Sequence, residues 1–345
     1  MKLKLIWENN YDGLRKPRRK DMINIRTDLA IEAKQAYTEE NKRELDGVKV
    51  DEEKDGEVKI TTVTIESDEA GRELGKPKGH YITLDIPDFA LYDGESMDEV
   101  SKVFGKTLKK LVDVGREKLV LVVGLGNWNV TPDALGPKVV EKTMVTRHIK
   151  ELMPDAIDDS VRPVCALAPG VLGITGVETG EIVKSLVDRI KPSLVICVDA
   201  LGARKLERVN RTIQIGDTGI SPGAGVGNHR MQINEESLGC KVIAVGVPTV
   251  VHAATIVNDA MDLLLDDLIS KSQTGKDFYN MLNSVDRAEK NALIREVLTP
   301  FVGELMVTPK DVDLVVENLA KVVANGINIA IQPDMELEDI NKFLN

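Results

Sequence analysis

Two aspartates in this sequence each follow an apolar run, a position from which a carboxylate can act on a bound ligand. Asp133 lies in NWNVTPDALGP, after the run LVLVVGLG at 119–126, and Asp199 directly follows LVICV at 194–198. In open α/β sheets, ligand sites collect beyond the carboxyl ends of the strands. A carboxylate at the end of a buried strand is costly unless it is paired or functional. For either aspartate alone, a helix cap or a loop salt bridge is an equally good interpretation.

Placed together, the two carboxylates have a defined chemistry. Two carboxylates in one site do not both ionise easily, so the pKa of one rises and the pair retains a proton. The ionised member can take a proton from water while the protonated member donates one to the carbonyl oxygen of a peptide bond. This general acid–base pattern is that of an aspartic peptidase, and it predicts that Asp133 and Asp199 are catalytic.

Two glycine motifs suggest other enzymes, but each lacks an essential residue. GLG at 124–126 begins a dinucleotide-binding fingerprint, but Asn129 stands where its third glycine would fall. GISPG at 219–223 matches the nucleophile elbow of serine hydrolases, but Pro222 has no backbone N–H to hold an oxyanion. The 4 histidines are scattered without metal-ligand spacing. We therefore predict no cofactor and no metal.

Composition excludes several classes of protein. The chain has 345 residues, 42% of them hydrophobic, which is enough for a sizeable core. Its formal net charge of −11 argues against a direct nucleic-acid partner, because nucleic-acid binders usually have a basic surface. No run approaches about 18 apolar residues, so no membrane span is predicted. We expect a cytoplasmic protein.

The predicted elements alternate between strands and helices, which indicates an α/β fold. Continuous apolar strands separated by helices predict a mostly parallel sheet covered on both faces. Before these elements, β-branched alternation predicts a β-rich extension at about 50–90. A last helix is expected to begin at Thr308-Pro309 and to end at Asn325-Gly326. The predicted strands are 119–126, 163–169, 194–201 and 241–250, and the predicted helices are 97–115, 138–152, 182–190 and 253–270.

The chain resembles the germination protease family nearly from end to end. The segments that carry the resemblance are RTDLAIEA (26–33), GLGNWNVTPDALGP (124–137), ALAPGVLGITGVET (166–179), VDALGARKLERVNRTIQIGDTGISPGAGVGNHR (198–230) and GVPTVV (246–251). The resemblance assigns catalytic roles to the aspartates at Asp133 and Asp199. It also implies a three-layer αβα sandwich around a mixed sheet, like that of hydrogenase-maturation peptidases.

The same resemblance implies a substrate and an activation step. Family substrates are the small acid-soluble spore proteins, degraded at germination and cut after an acidic residue, before an apolar residue followed by alanine. The chain carries its own version of that pattern in Thr27–Glu32, next to a basic leader. We therefore predict a self-processing zymogen cut between Asp28 and Leu29, with propeptide 1–28 and a single peptidase domain at 29–345. A homotetramer in the forespore or spore core is implied as well.

Five further residues are candidates for a supporting role in binding or positioning. Asn127 and Asn129 can donate hydrogen bonds, and Asp217 lies in a glycine-rich segment that lets a substrate backbone approach closely. His229 and Arg230 could orient the aspartates or bind acidic positions of a substrate. For each of these residues a purely structural role is the common alternative.

Two alternatives from other classes stay open at this stage. The first is a protein that binds spore proteins without cutting them. The second is a metal-dependent maturation-type peptidase, because hydrogenase-maturation relatives use metal-ligating carboxylates. The first alternative predicts that substitution of Asp133 leaves function intact. The second predicts that a chelator abolishes activity.

Overall fold

The computed structural model describes residues 27–222, 231–271 and 305–344. The strands are β1 (Val48–Asp55), β2 (Val58–Ile65), β3 (Gly79–Asp85), β4 (Val120–Gly124), β5 (Val164–Leu167), β6 (Leu194–Ala203), β7 (Thr212–Gly216), β8 (Lys241–His252) and β9 (Met306–Val307). The α-helices are α1 (Ala30–Asn41), α2 (Asp68–Leu74), α3 (Gly94–Lys109), α4 (Leu135–Glu141), α5 (Arg147–Leu152), α6 (Leu172–Thr175), α7 (Thr179–Ile190), α8 (Glu235–Leu238), α9 (Ala253–Lys271), α10 (Val312–Ile331) and α11 (Leu337–Leu344).

These elements belong almost entirely to one compact unit, Arg26–Ile256 with Glu304–Asn345. A second unit comprises Met1–Ile25 and Val257–Gly303. Of that second unit, the described residues are 257–271, which form the later part of α9. The site described below is built from the first unit.

One mixed sheet forms the centre of the first unit. Its order is β1-β2-β3-β7-β8-β6-β4-β5, with β9 paired to β8. The pairs β4/β5, β4/β6 and β6/β8 are parallel, and the other five described pairs are antiparallel. The prediction of a mixed sheet is confirmed, but the expectation that it is mostly parallel is wrong. Apolar patterns mark strands without giving their direction, which depends on how the strands pair.

The β-rich segment predicted at about 50–90 does form strands. These strands, β1 to β3, continue the central sheet through β7. β1 and β2 are joined by a two-residue hairpin in which Gly56 has φ +59°, a conformation that favours glycine. Strand β7, which sequence patterns did not reveal, connects this segment to the parallel strands.

Alternate residues of β4 show the layers on the two faces of the sheet. Val120 and Val122 pack into the larger core with Phe104 of α3 and with apolar residues of α4 and α10. Leu121 and Val123 pack into a second core with α7 and α8. Because side chains alternate along a strand, both faces of this strand are buried beneath helices. The predicted arrangement of helices on both faces is therefore confirmed.

Helix α10 differs from its predicted bounds at both ends. Thr308 donates its hydroxyl to the carbonyl of Thr249 and does not cap the helix, and Asn325 and Gly326 lie in the helix interior. A Cβ on Gly326 would lie 2.1 Å from a ring carbon of Phe104, so glycine serves close helix packing here and not helix termination. Helix α10 is long and apolar enough to cross a membrane. However, 72% of its most apolar stretch is buried inside the protein, as in the core helix of a globular domain.

The helix predicted at 138–152 is in fact two helices, α4 and α5. At the break between them, Met144 is fully buried and its backbone N–H donates to Oδ1 of Asn328 at 3.0 Å. Thr146 donates its hydroxyl to the carbonyl of Arg162, and it accepts from the backbone N–H of Val164. These long-range bonds satisfy the backbone where the helix stops.

Candidate active site

The loop that follows β4 holds the carboxylate of Asp133. Two residues after β4 ends, Gly126 has a φ of +115°, and a Cβ there would lie 2.0 Å from the carbonyl oxygen of Asp133. The N–H of Asn127 donates to that carbonyl at 3.1 Å and to Oδ2 of Asp133 at 2.9 Å. Asp133 ends a 3₁₀ turn, Thr131–Asp133, that leads into α4. The side chain is therefore positioned by backbone geometry close to the end of a core strand.

Two contacts anchor this loop to the sheet. Thr249 of β8 donates its hydroxyl to the carbonyl of Pro132 at 2.7 Å. In α4, a Cβ on Gly136 would lie 2.2 Å from the carbonyl oxygen of Leu125. Only glycine at position 136 therefore lets this helix come so close to the end of β4. The loop is thus fixed on both sides of Asp133.

Asp199 lies within β6, five residues after its start and inside the strand predicted at 194–201. β4 pairs with β6 only as far as Val198, whose carbonyl then accepts the N–H of Leu125 at 2.8 Å. Asp199 is therefore the first residue of β6 beyond its pairing with β4. On its other side it pairs with Gly246 of β8. The side chain is buried, and Oδ1 accepts the N–H of Ala200 at 2.9 Å.

One cavity of about 520 Å³ is lined by both predicted catalytic residues, Asp133 and Asp199. It is also lined by Asp28, Lys76 and Gln214. The structure thus places two aspartates that lie far apart in the chain on the wall of one cavity. It also adds a third carboxylate, from the segment in which the sequence predicted a cleavage site.

Asp28 is held in the cavity wall by four hydrogen bonds, three through its backbone and one through its carboxylate. Its N–H donates to the carbonyl of Gly202 at 3.2 Å, and its carboxylate accepts the N–H of Gly202 at 2.8 Å. Its carbonyl oxygen accepts from Nζ of Lys76 at 2.9 Å and from Nε2 of Gln214 at 3.0 Å. The chain pairs here with an irregular part of β6, where the register shifts between residues 201 and 202.

The residues after Asp28 are buried. Leu29 and Ala30 are both 0% exposed, and the N–H of Ala30 donates to Oε1 of Gln214 at 2.7 Å. Gln214 therefore bonds the chain on both sides of the Asp28–Leu29 peptide bond. Leu29 belongs to an apolar cluster that includes Val63, Ile65, Tyr81 and Leu201.

Glu32 anchors the other end of this segment. It is 1% exposed, and its carboxylate accepts the N–H groups of Arg204 at 2.8 Å and Lys205 at 2.9 Å. The guanidinium of Arg208 lies 3.8 Å away, and the hydroxyl of Thr27 donates to the same carboxylate. A buried carboxylate with several donors binds firmly, because each donor is charge-assisted. The segment Thr27–Glu32 is therefore held by contacts of Asp28 at one end and of Glu32 at the other.

Of the predicted supporting residues, Asn127 and Asn129 lie beside the site but are not among the described residues that line its cavity. The side chain of Asn127 accepts the N–H of Asn129 at 3.0 Å, which shapes the loop. Asn127 bonds Asp133 through its backbone N–H and not through its side-chain amide. Its contact with the aspartate is therefore one that any residue other than proline could make.

Asp217 also lies outside the described lining of the cavity. Its carboxylate accepts the N–H of His80 at 2.8 Å and contacts Nδ1 of the same residue at 2.7 Å. This pair joins the start of β3 to the end of β7. His229 and Arg230 lie outside the described residues, so their predicted roles stay predictions.

Lys76 and Gln214 are the site residues that sequence reasoning missed. For Gln214 a signal existed, because it is the polar residue in TIQIG, between two isoleucines that face the core. For Lys76 the sequence offers no signal, because it lies in a turn after α2 among other charged residues. Burial lowers the pKa of Lys76, while the charges of Asp28 and Glu32 act in the opposite direction.

Carboxylates are also ligands for hard cations. The arrangement of acidic, histidine and cysteine side chains therefore bears on the alternative of a metal-dependent peptidase. Among residues 27–222, 231–271 and 305–344, no group of three or more His, Cys, Asp or Glu side chains is placed to hold a metal ion. The described donor set therefore does not by itself define a metal centre. The described lining contains two acidic side chains, Asp133 and Asp199, in one cavity with the firmly held residue Asp28.

Comparison with known proteins identifies the family of this chain. A sequence profile of the family described as germination protease matches residues 24–272 and 265–344. The germination protease of Clostridium perfringens (strain SM101) is 63% identical over 325 residues, covering 94% of this chain and 100% of the relative. That of Clostridium tetani is 56% identical, with 94% and 100% covered, and that of Bacillus mycoides is 40% identical, with 93% and 97% covered. This chain belongs to the germination protease family.

Proposed function

We propose that this protein is the endopeptidase that begins degradation of small acid-soluble spore proteins during germination, using Asp133 and Asp199 as an acid–base pair. It is made as a zymogen that cuts itself between Asp28 and Leu29 and so releases propeptide 1–28. The family supports a spore-germination peptidase as the activity. The mechanism, the substrate class and the self-processing step are the parts proposed here.

The observation that carries the proposal is the position of Asp28. It lines the same cavity as Asp133 and Asp199, although it precedes every strand of the sheet in the chain. Its peptide bond to Leu29 is held on both sides by Gln214. A peptide bond that is held in place in a cavity lined by two carboxylates is the kind of arrangement that self-cleavage requires.

The same segment supports the proposed specificity, because each of its side chains has a fitting environment. The acidic side chain of Asp28 accepts a backbone N–H from Gly202 at 2.8 Å. The apolar side chain of Leu29 is fully buried, and Ala30 lies in a place without exposed surface. A substrate that binds in the same way would have an acidic residue before the cut and an apolar residue followed by alanine after it.

The proposed reaction needs one ionised and one protonated carboxyl group. The ionised aspartate takes a proton from water, whose oxygen attacks the carbonyl carbon, and the protonated aspartate donates a proton to the peptide being cleaved. Water is thereby consumed, and a new carboxylate and a new amine are formed. Burial of Asp199 and the partial burial of Asp133 limit competing solvent around the pair.

The remaining parts of the proposal come from the family resemblance and from composition. We infer that the protein acts as a homotetramer in the cytoplasm of the forespore and spore core, without a cofactor or a metal. The net charge of −11 argues against direct contact with nucleic acid. A fold like that of hydrogenase-maturation peptidases is part of the same inference.

The test is digestion of a purified small acid-soluble spore protein by wild type, Asp133→Asn and Asp199→Asn, each with and without a chelator. Asp113→Asn is a matched control, because it removes one exposed carboxylate that is not among the described residues lining the cavity. We expect no cleavage by the first two variants, full cleavage by the control and no chelator effect. Full activity of either active-site variant contradicts the aspartic mechanism, and chelator inhibition indicates the metal-dependent peptidase. Binding without cleavage by the wild type indicates the non-enzymatic binder.

A further inference from the structure

The oxygen that an endopeptidase must activate at the predicted cut already has two donors in this structure. It is the carbonyl oxygen of Asp28, which belongs to the peptide bond with Leu29. Nζ of Lys76 donates to it at 2.9 Å and Nε2 of Gln214 at 3.0 Å. Both side chains line the cavity that contains Asp133 and Asp199. The side chains of one lysine and one glutamine therefore converge on the carbonyl group of a residue that lines the same cavity as the two aspartates.

Lys76 is positioned by the turn that ends α2. Gly75 adopts φ +65°, and the N–H of Lys76 donates back to the carbonyl of Gly71 at 3.0 Å. The next carbonyl, that of Pro77, accepts the hydroxyl of Tyr81 at 2.8 Å. Burial of Tyr81 raises its pKa to about 12, so this hydroxyl keeps its proton and remains a donor. The turn is thereby tied to β3.

Gln214 is positioned by the centre of the sheet. It lies in the middle of β7, which is paired on one side with β3 and on the other with β8. Its amide is oriented by two bonds at once, because Oε1 accepts from Ala30 while Nε2 donates to Asp28. A donor held in this way needs little reorganisation during a reaction.

We propose that Lys76 and Gln214 form a carbonyl-binding pair that stabilises negative charge on the scissile carbonyl oxygen during cleavage. This inference rests on the proposed function, since it assumes that the Asp28–Leu29 bond is the one cut. When the water oxygen attacks the carbonyl carbon, the C=O electron pair moves onto the carbonyl oxygen. Lys76 and Gln214 hold that oxyanion until the C–N bond to Leu29 breaks and the electron pair returns.

This assignment changes the part played by the protonated aspartate. A carbonyl oxygen has two lone pairs, and both are occupied by the bonds from Lys76 and Gln214. The proton of the aspartate pair therefore goes to the nitrogen of Leu29, which leaves as an amine. The sequence alone suggested that the aspartate protonates the carbonyl oxygen, and the two donors replace that role.

The rival explanation is that Lys76 and Gln214 only hold the segment Thr27–Glu32 in place. The two explanations differ in a measurable way, because the segment has a separate anchor in Glu32. Loss of a carbonyl donor lowers the rate constant of self-cleavage while the segment stays docked. If Lys76 and Gln214 are only anchors, their loss lowers the rate of self-cleavage only because the segment Thr27–Glu32 leaves its docked position.

The experiment follows self-cleavage of the full chain by intact mass, and it follows docking by hydrogen exchange of the peptide that contains residues 27–32. Lys76→Met removes the ammonium but keeps the length of the side chain. Gln214→Glu keeps the acceptor for Ala30 and removes the donor to Asp28. Lys78→Met is the matched control, an exposed lysine two positions further along the same turn. Lys76→Arg retains a cationic donor and tests for partial rescue.

We expect Lys76→Met to slow self-cleavage by about 10²- to 10³-fold, the usual effect of removing one oxyanion donor. Gln214→Glu is also slowed, Lys76→Arg recovers part of the rate, and Lys78→Met matches wild type. Exchange protection of residues 27–32 and the thermal midpoint stay near wild type in every variant. Wild-type rates in Lys76→Met and Gln214→Glu, or slow cleavage that is accompanied by lost protection, overturn the inference.

Asp133→Asn and Asp199→Asn in the same assay separate this inference from the proposed function. If both aspartate variants are inactive while the Lys76 and Gln214 variants keep full rates, the carbonyl-binding pair alone is wrong. If the aspartate variants cleave normally, or if wild type releases no product beginning at Leu29, the proposed function fails and this inference fails with it.

Discussion

The carboxylate of Asp28 accepts the N–H of Gly202 at 2.8 Å, and the N–H of Asp28 donates to the carbonyl of Gly202 at 3.2 Å. This reciprocal pair places the acidic residue of the predicted cut against the irregular end of β6, three residues beyond Asp199. The predicted cleavage site is thus joined to the strand that carries Asp199 by one main-chain bond and one bond through the Asp28 carboxylate. Under the proposed function, this contact would both recognise an acidic side chain and position the peptide bond.

Replacement of Asp28 by alanine should slow self-cleavage while leaving the fold intact. The change removes a charge-assisted hydrogen bond, which contributes roughly 1.5–3 kcal/mol, so we expect a loss of about 10- to 100-fold in rate. Asp28→Glu, which keeps the carboxylate, should retain much more activity than Asp28→Ala. The measurement is an intact-mass time course. Equal rates for the two variants would show that the acidic side chain is not recognised.

Glu32→Gln should loosen the segment that carries the cut. The glutamate accepts backbone N–H groups from Arg204 and Lys205, and an amide in its place would direct an NH₂ group toward one of these donors. We expect the docked segment to lose about 1–3 kcal/mol of stability. Hydrogen exchange of residues 27–32 should become faster, while exchange in β4 and β8 stays unchanged. Unaltered exchange at 27–32 would contradict the anchoring role of Glu32.

Gly126→Ala should inactivate the enzyme by displacing Asp133. The new Cβ would lie 2.0 Å from the carbonyl oxygen of Asp133, at a residue whose φ of +115° already disfavours a side chain. We expect a stability loss of about 1–3 kcal/mol together with loss of cleavage. Gly173→Ala is the control, because no described heavy atom outside its neighbours lies within 4 Å of its Cβ position. Chemical denaturation and substrate digestion measure both effects, and an active Gly126→Ala would show that the loop tolerates movement.

Glu317 provides a pH-dependent contact behind the site. Hydrogen bonds from Lys138 at 2.6 Å and Lys142 at 2.5 Å lower the pKa of Glu317 below its ordinary value of 4.5. A lowered carboxyl pKa contributes stability that is fully present above pH 4.5 and is lost as the pH falls through the lowered pKa. The contribution is small, because the side chain is partly exposed and solvent screens the charges.

Wild type should therefore exceed Glu317→Gln in unfolding free energy at neutral pH, and the difference should vanish in acid. Urea denaturation of both proteins across this pH range measures the difference, and added salt should reduce it. A difference that persists at low pH would show that Glu317 stabilises the contact between α4 and α10 by packing and not by its charge.

The amino-acid sequence by itself determined the elements that carry the two aspartates. Continuous apolar runs predicted β4, β5, β6 and β8, and the structure has strands at each place. The positions of Asp133 and Asp199 near strand ends followed from the same runs. These features could be predicted because burial of a strand is a local property, visible in consecutive residues.

Only the tertiary structure decided which residues meet at the peptide bond. Lys76 contacts Asp28 across 48 residues of sequence and Gln214 contacts it across 186. The mixed direction of the sheet and the pairing of β7 between β3 and β8 likewise depend on contacts between distant segments. A local pattern records whether a residue is buried but not which distant residue buries it. The aspartates could therefore be found from the sequence, whereas the two donors to the carbonyl oxygen required the folded chain.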